Sequence, residues 1–324
     1  MKKIIAVIVV FFMLSILVMG CTQQESEKTV SLNVNLKWLH QAQFAGNYVA
    51  EKKGYYESSN LDVTLIEGGV DSPSIDQVLS GNADIGIAGA DDIVVSISKG
   101  NPIKAIAVIY KISPVVYFSL MESNITTPYD FINKTIGVKH GTGTDYSYIA
   151  ILGNLGINRS LINEEEVGYD LTKFYNGSID VWPGFRINEP HVAELAGYNV
   201  SLILPEDWGV KIYADVLFTT NTFLENNKDV VKDFLTETLK GWQYAIEHQN
   251  EAVSITMEYV KDTSTQDHQQ YMLEHSIPLI HTGDSKLGMM DDTSWESVID
   301  VLLLNNVIDQ EPELSNIYTN EYII

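Results

Sequence analysis

From Leu32 to about Thr220 strand-like runs alternate with helical ones, and half-way along the alternation starts again. "LDVTLIEG", "ADIGIAG" and "IKAIAVIY" read as strands, the last apolar throughout, as a strand buried on both faces is. "SPSIDQVLSGN" and "DDIVVSISKG" read as short helices that stop at Gly81 and Gly100. Strand following helix following strand predicts a mostly parallel sheet with helices on its two faces. After "SPVVYFSLM" the same succession resumes with "KTIGVKHGTGTDYSYIAILGNLG". "SGNADIGIAGADDI" in the first half then has a counterpart, "YNGSIDVWPGFRINEP", in the second: a helix end, Gly, Asp, a short strand and a helix start. The expectation is an α/β protein with two lobes of one plan.

From Phe223 to about Asn306 the pattern is helical. Val230, Phe234, Leu235, Leu239, Trp242 and Ile246 recur at helical spacing, which predicts a core-facing stripe on a tail folded back onto the first lobe. "PVVYFSL" and "ADVLFTT" bracket the second half and read as the two crossovers between lobes, an arrangement that permits hinge bending. The expected division is a signal peptide over residues 1–20, a tether over 21–30, lobe 1 over 31–115 plus 220–324, and lobe 2 over 116–219.

The 324 residues and 45% hydrophobic content are enough for two modest domains or one large one. With 20 basic against 43 acidic residues the net charge is -23, which repels nucleic acid and excludes a DNA- or RNA-binding role. Met1-Lys2-Lys3 precedes an apolar run from Ile4 to Met19, broken only by Ser15, and then Gly20 and Cys21. That is the layout of an export signal, and the run is shorter than the roughly 20 residues of a full span. Cys21 is the single cysteine, so no intramolecular disulfide can form. "LVMGC" resembles a lipobox, in which Cys21 takes a diacylglyceryl group; an uncleaved anchor is the alternative. Either places the body outside the cytoplasm, tethered to a membrane, and a monomer is expected.

In an open parallel sheet ligands bind beyond the carboxyl ends of the strands. Trp38, His40 and Gln43 fall there after the first strand, Asp91 and Asp92 after "DIGIAG", and Tyr110 after "IKAIAVI". In the second half His140, Gly141, Thr142, Gly143 and Thr144 follow "IGVK", and Trp182, Asn188 and Glu189 follow "DV". If the two rims face each other, Trp38 and Trp182 would sandwich a flat ligand whose polar edge the carboxylates and amides read. Competing structural roles stand beside these. One of Asp91 and Asp92 is expected to cap a helix, and Glu189 sits where a helix dipole favours a carboxylate anyway. "HGTGTD" presents backbone N–H groups that could hold an anion, or is simply a tight turn. His268 and His275 lie two helical turns apart, but nothing completes a metal shell; with His248 and His281 they read as solvated. No metal or cofactor is expected. No Gly-x-Ser-x-Gly, no His-Glu-x-x-His and no activatable cysteine suggests a nucleophile, so the chain reads as a binder rather than an enzyme.

"LNVNLKWLHQAQFAGNYVAEKKGYYESSNLDVTLIEGG", "VLSGNADIGIAGADDI" and "VWPGFRINEP" resemble the NMT1/THI5-like solute-binding proteins of ABC importers. The resemblance implies two lobes of the type II periplasmic-binding plan, a permease and a cytosolic ATPase as partners, and a thiamine-precursor pyrimidine or a flavin as ligand. Related members bind sulfonate or nitrate. Eukaryotic members are pyrimidine synthases with a Cys-rich iron motif and pyridoxal phosphate; with no cysteine after Cys21 that motif cannot exist here. An extracellular sensory module and an enzyme of pyrimidine metabolism remain the rival readings.

Overall fold

The computed structural model describes residues 28–69, 71–261, 264–280, 283 and 286–323. The expected signal peptide, Cys21 and His281 lie outside them. Among the described residues ten strands form two five-stranded sheets. They are β1 (Val30–Asn35), β2 (Leu61–Ile66), β3 (Ile85–Ala88), β4 (Ile103–Tyr110) and β5 (Val115–Leu120), then β6 (Thr135–Val138), β7 (Asn163–Glu166), β8 (Val181–Phe185), β9 (Val200–Ile203) and β10 (Ala214–Thr220). The helices in chain order are α1 (Ala45–Lys52), α2 (Tyr55–Ser58), α3 (Ser74–Leu79), α4 (Ala90–Ser98), α5 (Gly143–Leu155), α6 (Thr172–Tyr175) and α7 (Glu189–Leu195). The tail adds α8 (Asn221–Asn226), α9 (Lys228–Glu247), α10 (Gln249–Thr256), α11 (Gln266–Ile280), α12 (Asp292–Leu304) and α13 (Leu314–Ile317).

The first sheet runs β2-β1-β3-β10-β4 and the second β7-β6-β8-β5-β9. In each, three parallel strands are followed by one antiparallel strand contributed from across the chain's two halves. The two bracketing segments are therefore not free crossovers. β10 pairs antiparallel with both β3 and β4, so residues 214–219 belong to lobe 1 and not, as expected, to lobe 2. β5 is likewise embedded between β8 and β9. An apolar strand buried at both ends of its register gains more from a ladder on each side than from spanning a gap. The links themselves shrink to residues 111–114 and to the few residues before Ala214.

The apolar stripe of α9 is core. Val231, Phe234, Leu235 and Trp242 are buried in one cluster with Tyr48 and Val49 of α1. The two helices approach closely enough that a Cβ at Gly46 would meet the Trp242 ring at 2.2 Å, so this crossing admits only glycine there. Trp295 and Val298 of α12 lie in a second cluster, with Ile93 and Val94 of α4 and Ile151 and Leu152 of α5. α4 follows a strand of the first sheet and α5 one of the second, so this shared core holds the lobes side by side.

Candidate functional site

The carboxyl ends of β1, β2 and β3 and those of β6 and β8 open on one cavity of about 560 Å³ between the lobes. That size suits a small molecule, for which sites of roughly 300–1,000 Å³ are usual. Lobe 1 lines it with Lys37, Trp38, Gln41 and Gln43 after β1, with Pro73 to Asp76 at the start of α3, and with Asp92, Val95 and Ser96 of α4. Lobe 2 lines it with the loop from Lys139 to Thr144 and Tyr146 of α5, then with Phe185, Asn188 and Glu189 after β8.

Trp38 is half-buried and stands edge-on to Tyr169, with ring centroids 5.0 Å apart and planes at 70°. Tyr169 comes from the loop after β7, so this aromatic pair spans the two lobes. It is 51% exposed and also stands over Gly69, which places it at the rim. Lys139 lies 5.9 Å from the Trp38 ring, and Lys37 5.4 Å from that of Phe185, each within cation–π reach.

Three carboxyl groups, the buried Asp91 and Asp215 and the half-buried Asp92, feel the charge of Lys37. Burial raises Asp91, Asp92 and Asp215 above the ordinary carboxylate value, and the Lys37 charge opposes the rise in each. Asp215 reaches about 6. Asp91 and Asp92 also repel one another's ionised forms. The amide of Gln43 donates to both oxygens of Asp215 (3.0 and 2.8 Å) and accepts from Gln41 at 2.6 Å. Gln43 thus lines the cavity while its polar groups are engaged within the protein.

The Gly-rich turn is engaged in a similar way. Gly141 N–H donates to Asp145 at 3.0 Å, and the Thr142 hydroxyl bonds the Lys139 carbonyl and Thr144. Asp91 lies against Gly143, where a Cβ would meet its Oδ2 at 2.9 Å. A carboxyl group from the opposite lobe therefore already occupies the space at the start of α5 that an anion would take. His140 lines the cavity and makes only a 3.4 Å contact with Asp145. Glu189 accepts the Phe185 N–H at 2.8 Å.

Several expectations need correction. Trp182 does not reach the cavity: it is 1% exposed and packs with Phe118 and Phe174 in a separate lobe 2 cluster. Strand period is the reason, since Val181 faces the inter-lobe core and its neighbour must face the other way. Tyr110 is buried, donates to Ser276 at 2.8 Å and meets Trp242 edge-on, so it points into the helical layer of lobe 1. His40 turns from the cavity toward Tyr48 (Nδ1 to hydroxyl 3.1 Å) and Tyr259; burial lowers its pKa. Neither Asp91 nor Asp92 caps a helix: Gly89 is the N-cap of α4 and both sit in its first turn. His268 is buried between lobes rather than solvated. Lys37, Lys139 and Tyr169 were missed, because a lysine ending a strand and a tyrosine in a polar loop carry no periodic signal.

The family model described as NMT1/THI5 like matches residues 41–252, more than half of the chain. The chain belongs to the NMT1/THI5-like family. Among its relatives, the formylaminopyrimidine-binding protein of Halalkalibacterium halodurans is 24% identical over 296 residues, covering 89% of each chain. The riboflavin-binding protein RibY of Chloroflexus aurantiacus is 22% identical over 298 residues, covering 89% of this chain and 84% of that one. The periplasmic aliphatic sulphonate binding protein SsuA from Escherichia coli shares the fold, with a TM-score of 0.71, 14% identity and coverage of 91% of this chain and 99% of that one. So does the desulfurization enzyme DSZB, with a TM-score of 0.60 at 12% identity over 90% of this chain and 97% of that one. The NMT1/THI5-like fold is therefore settled, and the chemistry of the cavity has to be read from its own residues.

Proposed function

We propose that this NMT1/THI5-like protein is the extracytoplasmic solute-binding component of an ABC importer, and that it closes over a flat nitrogen heteroaromatic of the aminopyrimidine or flavin kind. The observation that carries the reading is a cavity between two lobes whose rim is an aromatic pair drawn from both, Trp38 and Tyr169. A ring entering the cavity can pack against aromatic surface at this rim, and only a ligand touching both lobes shifts the balance toward the closed form. Asp92, Asn188 and Glu189 offer acceptors and an amide to a polar edge. The two curated relatives, named for a pyrimidine and a flavin, support this ligand class. Three lysines line the cavity, which would suit a sulfonate. Lys37 is balanced by neighbouring carboxylates, however, and the Gly141 N–H already donates to Asp145. The closed form would dock on a membrane permease driven by a cytosolic ATPase.

Calorimetric titration tests the reading with formylaminopyrimidine, riboflavin and an alkanesulfonate. One of the two heteroaromatics should bind without turnover. Trp38→Ala and Tyr169→Ala should each weaken that binding by about 1–3 kcal/mol, the scale of base–aromatic stacking, with little change in thermal stability. Tight sulfonate binding with neither heteroaromatic bound, or two unaffected variants, would overturn it.

Attachment to the membrane belongs to the same proposal. No helix among the described residues is long and apolar enough to cross a bilayer. The lipobox-like "LVMGC" supports a lipid on Cys21. Mass spectrometry of the membrane-extracted protein should find a new N-terminus at Cys21 carrying acyl chains, and an unmodified Cys21 would remove the anchor.

A further inference from the structure

Two histidines from opposite lobes meet beside the cavity. His191 of α7 and His268 of α11 bring their Nδ1 atoms to 2.8 Å, with rings 14° from parallel. On its other side His268 Nε2 stands 2.9 Å from Oδ1 of Asn188, a cavity residue of lobe 2. An amide oxygen only accepts, so Nε2 of His268 carries the proton, its Nδ1 is a lone pair, and His191 donates to it. Turning the amide over reverses both bonds and still leaves His268 neutral. Tyr271 and His275 extend the stack, with centroids 3.7 Å from His191 to Tyr271 and 3.8 Å onward.

We propose that His191, His268 and Asn188 form a proton-sensitive clasp, in which His268 positions Asn188 at the cavity and holds the lobes closed near neutral pH. The proposal rests on the reading of the cavity as a cleft that opens and closes. One added proton can be taken at Nε2 of His191, which leaves a single proton on the Nδ1–Nδ1 axis and keeps both hydrogen bonds. A second leaves two N–H groups and two positive charges face to face at 2.8 Å, which no rearrangement of protons relieves. The clasp must then part.

The surroundings act in the same direction. Burial lowers His268 to about 4, with the His191 charge adding to the effect. Burial also lowers His191, against Glu194, which favours its protonated form, and with His275, which disfavours it. Of the titratable groups on neighbouring elements, Glu251 of α10 pairs with Lys53, and Tyr110 of β4 donates to Ser276 of α11 itself. In the open form each imidazole regains an ordinary value near 6.5. A lowered value in the closed form means that closure is favoured fully above 6.5 and weakens as pH falls toward 4.

Small-angle X-ray scattering of the ligand-free protein between pH 7.5 and 5.5 reads lobe opening without reference to any ligand. Failure here is therefore distinct from failure of the calorimetric test above. The opening equilibrium of the parent should shift by about tenfold over that range, seen as a rise in the radius of gyration. His268→Gln, which keeps hydrogen-bonding capacity and loses the titration, should show no such rise. His191→Gln should behave alike and serves if His268→Gln does not fold. A parent that keeps its radius at pH 5.5, or variants that open along the parent's curve, would overturn the clasp.

Discussion

Trp182→Ala should lower the unfolding free energy by about 3–5 kcal/mol while leaving the ligand affinity of the folded protein nearly unchanged. The side chain is 1% exposed, and its ring meets that of Phe174 at 6.4 Å within the small cluster that closes the outer face of the second sheet. Truncation removes a large apolar surface and leaves a hole that Phe118, Phe174 and Val116 can fill only in part. The indole N–H has no partner in its buried setting, so Trp182→Phe should keep most of the stability. Urea unfolding beside calorimetry separates the outcomes. A Trp182→Ala protein as stable as the parent but unable to bind would mean that this indole does face the ligand. Trp38→Ala should give the opposite pattern, since Trp38 is half-buried at the cavity edge.

Lys37→Met is the second large effect, expected at about 3 kcal/mol of destabilisation at pH 8 and distinctly less at pH 5. The ammonium of Lys37 opposes the burial-driven rise of Asp91, Asp92 and Asp215 at once. A carboxyl whose folded value lies above its ordinary 3.8 stabilises the fold fully below 3.8, and that contribution is lost as pH rises through the folded value. For Asp215 the window ends near 6 in the parent. Without Lys37 the folded values move higher still, so ionisation at pH 8 is more costly while protonation at pH 5 relieves it. Asp215 adds a reason for the sensitivity: as the second residue of β10 it has a left-handed φ of 50°, a strained setting that the Gln43 amide helps to hold. Urea unfolding at pH 5, 6.5 and 8 measures the slope. Parallel parent and Lys37→Met curves would show that the lysine does not serve these carboxylates.

Much of the architecture was legible along the chain because it rests on local periodicity. The apolar run of β4, the glycine stops at Gly81 and Gly100, and the stripe on α9 each follow from spacing alone. The repeated helix-Gly-Asp-strand motif announced two sheets of one plan. Which strand lies beside which was not legible. β5 and β10 look in sequence like links, and only the ladders on both their sides reveal them as interior strands.

The site divides in the same manner. Asp92, His140, Thr142, Gly143, Thr144, Asn188 and Glu189 are expected at the cleft from their place after a strand, and all seven line the cavity. Trp182 and Tyr110 obey the same rule and yet face inward, since the end of a strand fixes where a residue sits but not which face its side chain takes. The family itself can be recognised in the order of residues, because strand ends, turns and helix starts are set by neighbours a few positions apart. The partner of Trp38, the balance around Lys37 and the meeting of His191 with His268 join residues 54 to 178 positions apart. Only the packed lobes decide those, because burial and the direction of a side chain arise from surfaces that close together after the local pattern has been spent.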